Sequence, residues 1–117
     1  MQILKAYNFI TKDLSRAFSL TKFWKKLLKN QIIFNVDGTD FGYSLEENKI
    51  IRIVGKFDTK QNKWIKKTKN VIMSDVINLN FTPLYKKKES VKAINLDIKC
   101  VNGIDIKCII AMRLDKL

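Results

Sequence analysis

The chain is expected to fold as an α+β, mainly β, domain in which an N-terminal basic amphipathic helix packs on an antiparallel sheet, closed as a small barrel or a sandwich. Three observations predict this. Apolar residues recur at helical spacing only in the first third, at Ile10, Leu14, Ala17, Phe18, Trp24 and Leu28. Later segments alternate apolar and polar residues in twos. Turn signals such as Asp37-Gly38 and Asn102-Gly103 separate the alternating segments. With 117 residues, 46% of them hydrophobic, and only four glycines and one proline, the composition suits one domain over 1–117 with its own core and not a disordered tail.

The periodicity predicts a helix over about residues 10–29, with a break near Ser19 to Thr21 and a stop at Asn30. Thr11 is placed to cap it, Asp13 suits the positive end of its dipole, and Lys25, Lys26 and Lys29 suit the negative end. The sheet then follows, over about 31–114 with about five to seven strands. Ile32 to Val36 reads as a strand, and Asp37-Gly38 is a hairpin turn. Phe41, Tyr43 and Leu45 point one way on the returning strand. Ile50 to Phe57 is the next strand, with Gly55 a bulge candidate, and Trp64-Ile65 resumes the sheet. Val76 to Phe81 carries Ile77, Leu79 and Phe81 until Pro83 ends the strand or marks it as an edge.

The last hairpin can be argued to its register. A two-residue Asn102-Gly103 loop would set the apolar faces of its two arms against each other in parity. A three-residue loop, Val101-Asn102-Gly103, with Gly103 in the left-handed position of a bulge, aligns them: Ile98 faces Ile106 and Leu96 faces Cys108. Lys99 then lies beside Asp105, and Asp97 beside Lys107, at about 0.2–1 kcal/mol per opposite-charge pair. The near-repeat LDIKC and IDIKC is thereby two arms of one hairpin. Its cysteines fall too far apart to bridge.

Charge sets the functional expectation. Twenty lysines and three arginines against 11 acids leave a formal charge of +12. The surplus is clustered: residues 1–30 hold seven cations against one acid, 51–75 seven against two, and 31–50 are net acidic. Such a surplus attracts polyanions, namely RNA, DNA or an anionic membrane face. The bland reading is compositional, with lysine a default surface residue of a chain rich in Lys, Asn and Ile.

The absence of histidine removes Ser-His and Cys-His nucleophiles and the common near-neutral base. Two cysteines match no zinc spacing, so no metal or cofactor is expected. The steps Asp97-Ile98-Lys99 and Asp105-Ile106-Lys107 resemble the acid-x-Lys element of metal-dependent nucleases, but a site would need a further acid, with Asp75 the nearest candidate. Cross-strand salt pairing explains them as well, and no catalytic residue is assigned. Unpaired cysteines, no signal-like apolar start and no membrane-length apolar run give an intracellular expectation.

The basic clusters carry the main hypothesis, a non-enzymatic nucleic-acid-associated protein such as a ribonucleoprotein component or a small DNA- or RNA-binding protein. Lys63, Lys66, Lys67 and Lys69 surround Trp64, and Lys86, Lys87 and Lys88 follow Tyr85. Cations beside an aromatic suit a phosphate backbone with a stacked base. Lys25, Lys26 and Lys29 add to the phosphate-contacting set. The structural counter-reading buries Trp64 and leaves the lysines to solvate loops.

Two other classes stand beside it. The chain is alternatively a structural subunit of a larger assembly, such as a phage or virus particle, with protein partners. Or the basic amphipathic segment 22–29 lies on a membrane surface, although core packing is the commoner fate of such a segment.

Overall fold

The structure, a computed structural model, describes residues 2–113, without the side chain of Gln2; the expected sheet boundary at residue 114 falls outside them. The helix forms, but earlier than expected. The spacing Ile3, Ala6, Ile10, Leu14 extends the apolar stripe toward the N-terminus, and α1 runs Gln2–Ser15. Ala6, Ile10, Leu14 and Ala17 are fully buried. The helix ends where Arg16 N–H donates to Asp13 O and Ala17 N–H to Leu14 O. Thr11 therefore sits inside it, its hydroxyl donating to Tyr7 O at 2.8 Å, and caps nothing.

The expected helix over 10–29 is corrected in its second half. Residues Thr21–Phe23 form a short 3-10 turn, and Trp24–Leu27 are strand β1. Tertiary pairing overrides the local helical period here. Trp24 turns into the core against Phe34, ring centroids 5.2 Å apart, and its indole N–H donates to Phe18 O at 2.9 Å. A bulge between Trp24 and Lys26 interrupts the pairing of β1 with β2 and re-aims the lysines that follow.

Seven further strands follow: β2 (Gln31–Val36), β3 (Thr39–Glu46), β4 (Lys49–Asp58), β5 (Lys63–Met73), β6 (Val76–Lys87), β7 (Ser90–Cys100) and β8 (Asp105–Ala111). They form two antiparallel meanders, β1-β2-β3-β4-β5 and β6-β7-β8. Asp37 and Gly38 both take positive φ in the two-residue turn between β2 and β3. In the last hairpin, Ile98 pairs with Ile106, Leu96 with Cys108, Lys99 with Asp105 and Asp97 with Lys107. Gly103, at φ +89°, supplies the left-handed position that the three-residue loop requires. Both cysteines are free. Pro83 lies within β6, the edge strand of the smaller sheet, where its missing N–H costs no ladder bond.

The two sheets pack face to face. Ile32, Phe34, Phe41, Tyr43 and Ile50 of the first meet Leu79, Phe81, Ile94, Leu96 and Ile98 of the second in one core, with Ile10 and Leu14 of α1. On one flank the sheets are joined by the hydrogen bonds Phe81 N to Lys29 O and Thr21 N to Glu89 O, and by a bridge of Leu20 with Ser90. On the other flank α1 contacts both β5 and β8 and fills the gap between these edge strands. The arrangement is a flattened sandwich with the helix as its closing stave. That position blunts two edges that would otherwise offer unpaired backbone.

Candidate functional site

Strand parity gives the larger sheet a second, outward face, and it is unusually apolar beneath a polar cover. Ile33, Ile51, Ile53 and Phe57 are at most 8% exposed, yet they lie outside the core between the sheets. Trp64, paired with Phe57 across β4 and β5, covers part of this layer, its ring edge-on to Phe57 at 5.4 Å. The indole rests on Gly42. A Cβ at that position would stand 2.7 Å from Trp64 Cζ2, so only glycine lets the ring lie this close to β3.

Gly42 is thus neither a turn nor a bulge glycine. Its place in the middle of an alternating strand was the available signal of a close approach.

Cations gather on the same face. Lys67 pairs opposite Gly55 and Lys69 opposite Ile53, on the side of Trp64. Together with Trp64, Asn30, Gln31 and Ser44 they wall a polar cleft of about 320 Å³. Because of the bulge in β1, Lys26 also reaches this side, with Nζ 5.3 Å from the Phe57 ring centroid. Lys25 reaches it too, but bonds to Asp40 Oδ2 at 2.6 Å and to Phe57 O at 2.8 Å.

Asp40 is fully buried, and also accepts from Asn35 Nδ2 and the Phe57 N–H. Burial alone would raise its carboxyl pKa, but the hydrogen bonds from Lys25, Phe57 and Asn35 outweigh that and hold it below the ordinary value. The charge of Lys25 is therefore neutralised inside the protein.

The remaining predicted cations divide. Lys66 and Lys63 pair opposite Lys56 and Asp58, on the reverse side of β5 from Trp64. Lys29 is exposed in the turn before β2. Tyr85 is 54% exposed, and Lys86, Lys87 and Lys88 are exposed at the tip of the β6–β7 hairpin, in the other sheet. This tip is tied to the segment before Lys22 through Thr21 N to Glu89 O and Val91 N to Ser19 O. Among the described residues, only Lys25, Lys69 and Lys107 of the lysines lie within 4 Å of an acid. Lys69 does so loosely, 3.5 Å from Glu46 Oε1.

The acid-x-Lys steps stand opposite each other on the outward face of the smaller sheet in the expected register, but the expected cross-strand ion pairs do not form: Lys107 instead lies 3.8 Å from Asp105 of its own strand. Among the described residues, no group of three or more His, Cys, Asp or Glu is placed to hold a metal ion. Asp97 Oδ1 is buried without a hydrogen-bond partner. A hydrogen bond with Asp105, then burial, raises the Asp97 pKa.

A second buried carboxylate joins α1 to the larger sheet. Asp13 accepts from Tyr43 Oη at 2.5 Å, from Arg52 Nε at 2.8 Å and from an Arg16 guanidinium nitrogen at 3.1 Å. It sits in the last turn of the helix, not near its start as expected. The dipole there disfavours an acid, and the two arginines supply the compensation.

Comparison with protein-family models finds no match, and comparison with curated proteins finds none either. Among the described residues, no helix is long and apolar enough to cross a membrane.

Proposed function

We propose that the chain is a non-enzymatic nucleic-acid-associated protein that holds phosphate backbones against the outward face of its five-stranded sheet. The observation that carries this reading is the gathering of Lys67 and Lys69 beside Trp64, and of Lys26 over the neighbouring Phe57, on one sheet face, with Glu46 the only acid that lines the cleft among the described residues. Fields of cations sharing one face add, and a groove of one sign concentrates polyanions. Lys63 and Lys66 lie on the reverse side of the same edge strand and Lys29 in the turn before β2, so they add only to the surrounding positive field. Lys86 to Lys88, with Tyr85, form a separate cluster for a longer strand. Lysines act as point charges without the bidentate fork of arginine, so recognition follows the backbone, with little base-pair readout.

A salt titration with a homopolymeric nucleic acid tests the reading. The logarithm of affinity is expected to fall linearly with the logarithm of salt, at about −0.7 per neutralised phosphate on a single strand. Replacing Lys67 and Lys69 by alanine lowers that slope by about 0.7 for each lysine that contacts a phosphate. A titration with no salt dependence sinks the reading.

A role as a subunit of a larger assembly draws on a different surface. Ile77, Val101, Ile104 and Ile109 are 45–67% exposed on the smaller sheet and its last loop. A light-scattering mass of one chain at high concentration would count against self-assembly through them.

A further inference from the structure

Resting on the nucleic-acid reading, we infer that the outward face is built for a single strand, with one unpaired nucleobase entering the cleft beside Trp64 and its flanking phosphates on Lys67 and Lys69. The cleft, at about 320 Å³, lies at the lower end of the roughly 300–1,000 Å³ range of small-molecule pockets. Its walls supply what a base requires and a bare phosphate does not. The indole of Trp64 is an aromatic wall. Asn30 and Gln31 each present an amide with donors and an acceptor, and the Ser44 hydroxyl offers both.

A duplex buries its base faces in the stack, so such a cleft has no use for it, whereas a splayed single strand exposes both faces and edges. Of two other clefts near α1, the one walled by Ile3, Ser74, Asp75 and Asn102 has an acid but neither an aromatic wall nor a cation, and the one walled by Leu4, Tyr7, Ile106 and Lys107 has no amide or hydroxymethyl side chain beside its single cation.

The platform is held in place before any ligand arrives. Gly42 seats the indole from below and Phe57 meets its edge, so binding need not freeze a freely rotating tryptophan. Glu46 stands at the rim, accepting from Ser44 Oγ at 3.4 Å and lying 3.5 Å from Lys69 Nζ. A phosphate arriving at Lys69 displaces this loose pair, so Glu46 opposes binding.

The test titrates the full chain with oligodeoxythymidine, oligouridine, a DNA duplex of equal charge and inorganic polyphosphate, following tryptophan emission and ligand anisotropy. One or both single strands should quench emission and bind more tightly than the duplex and the polyphosphate. Trp64→Leu should weaken single-strand affinity by about 5- to 150-fold, the range for loss of one stacked base, and leave polyphosphate affinity unchanged. The paired substitution Gln31→Ala and Ser44→Ala leaves the indole in place, and should weaken the single strand selectively; Glu46→Gln should tighten it.

Equal binding of all four polyanions without an emission change overturns the single-strand inference while leaving the lysine reading intact. Tighter binding of the duplex does the same. If none of the four binds, both fall together.

Discussion

Trp64 lies across Gly42 so closely that the smallest possible side chain on β3 would strike the indole at Cζ2. The pair joins strands that are not neighbours, since β4 runs between β3 and β5. Gly42→Ala is therefore expected to push the ring off the sheet and uncover Ile33 and Phe57. Overpacking of this kind costs about 1–3 kcal/mol. Urea unfolding measures the loss, and a red shift of tryptophan emission reports the exposed ring. An unchanged spectrum would contradict the seating of the indole on Gly42.

The carboxylate of Asp13 serves Tyr43, Arg52 and Arg16 together. Burial first, and the neighbouring Asp13 charge next, raise the pKa of Tyr43 above its ordinary value, so its hydroxyl remains a donor. Asp13→Ala removes the shared acceptor and leaves a guanidinium half-sequestered beneath the helix. The expected loss is about 3–5 kcal/mol, as for breaking a buried pair from one side. Tyr43→Phe removes only one donor to a charged group, and should cost about 1.5–3 kcal/mol. Denaturant midpoints of the two variants check the order, which a purely packing role for these residues would not produce.

These two contacts mark where the sequence could be read and where it could not. The register of the last hairpin was legible because parity and charge constrain it independently: a slip of one residue would reverse both the apolar face and the pairing of Lys99 with Asp105. Residues 22–29 mislead a local reading because Trp24, Leu27 and Leu28 among lysines satisfy a helical stripe as well as a bulged edge strand. The choice is made by β2, whose Phe34 pairs with Trp24 and packs against its ring. The same long-range dependence hid the candidate cleft. Lys67, Lys69 and Trp64 were evident as a basic aromatic run, whereas Asn30, Gln31 and Ser44 become neighbours only when β2, β3 and β5 curve around them. Lys25 looked like its neighbour Lys26, and only the position of Asp40 across the sheet separates them.

Acid should act in opposite directions at two aspartates. The folded-state pKa of Asp40 lies below the ordinary 3.8. Its stabilising contribution is thus complete above 3.8 and lost as pH falls through the folded value. Asp97 is raised above 3.8 by its hydrogen bond with Asp105. The folded state then favours its protonated form, and stability declines as pH rises from 3.8 through the folded value. Asp97→Asn is expected to raise the melting temperature at neutral pH, with the gain vanishing in acid. Asp40→Asn should lower it at neutral pH and flatten the acid limb. Thermal melts across pH 2 to 7 would decide, and a uniform offset for Asp97→Asn at every pH would refute the assignment.

Lys66 and Lys67 are neighbours in sequence that stand on opposite faces of β5, and this makes them a sensitive pair for the binding surface. Lys66 lies directly across from Lys56, a like-charge pairing of the kind that destabilises a ladder. Lys66→Glu converts it to an attractive pair, and should stabilise the fold by about 0.2–1 kcal/mol. Lys67→Glu meets Gly55 across the ladder and gains no such partner. Both changes remove the same net charge, so a purely diffuse attraction to nucleic acid would weaken equally in the two variants. A surface confined to the Trp64 face should instead lose far more affinity with Lys67→Glu than with Lys66→Glu, measured at one salt concentration with a single-stranded homopolymer. Equal losses would return the lysines to a general electrostatic role and remove the reason to single out this face.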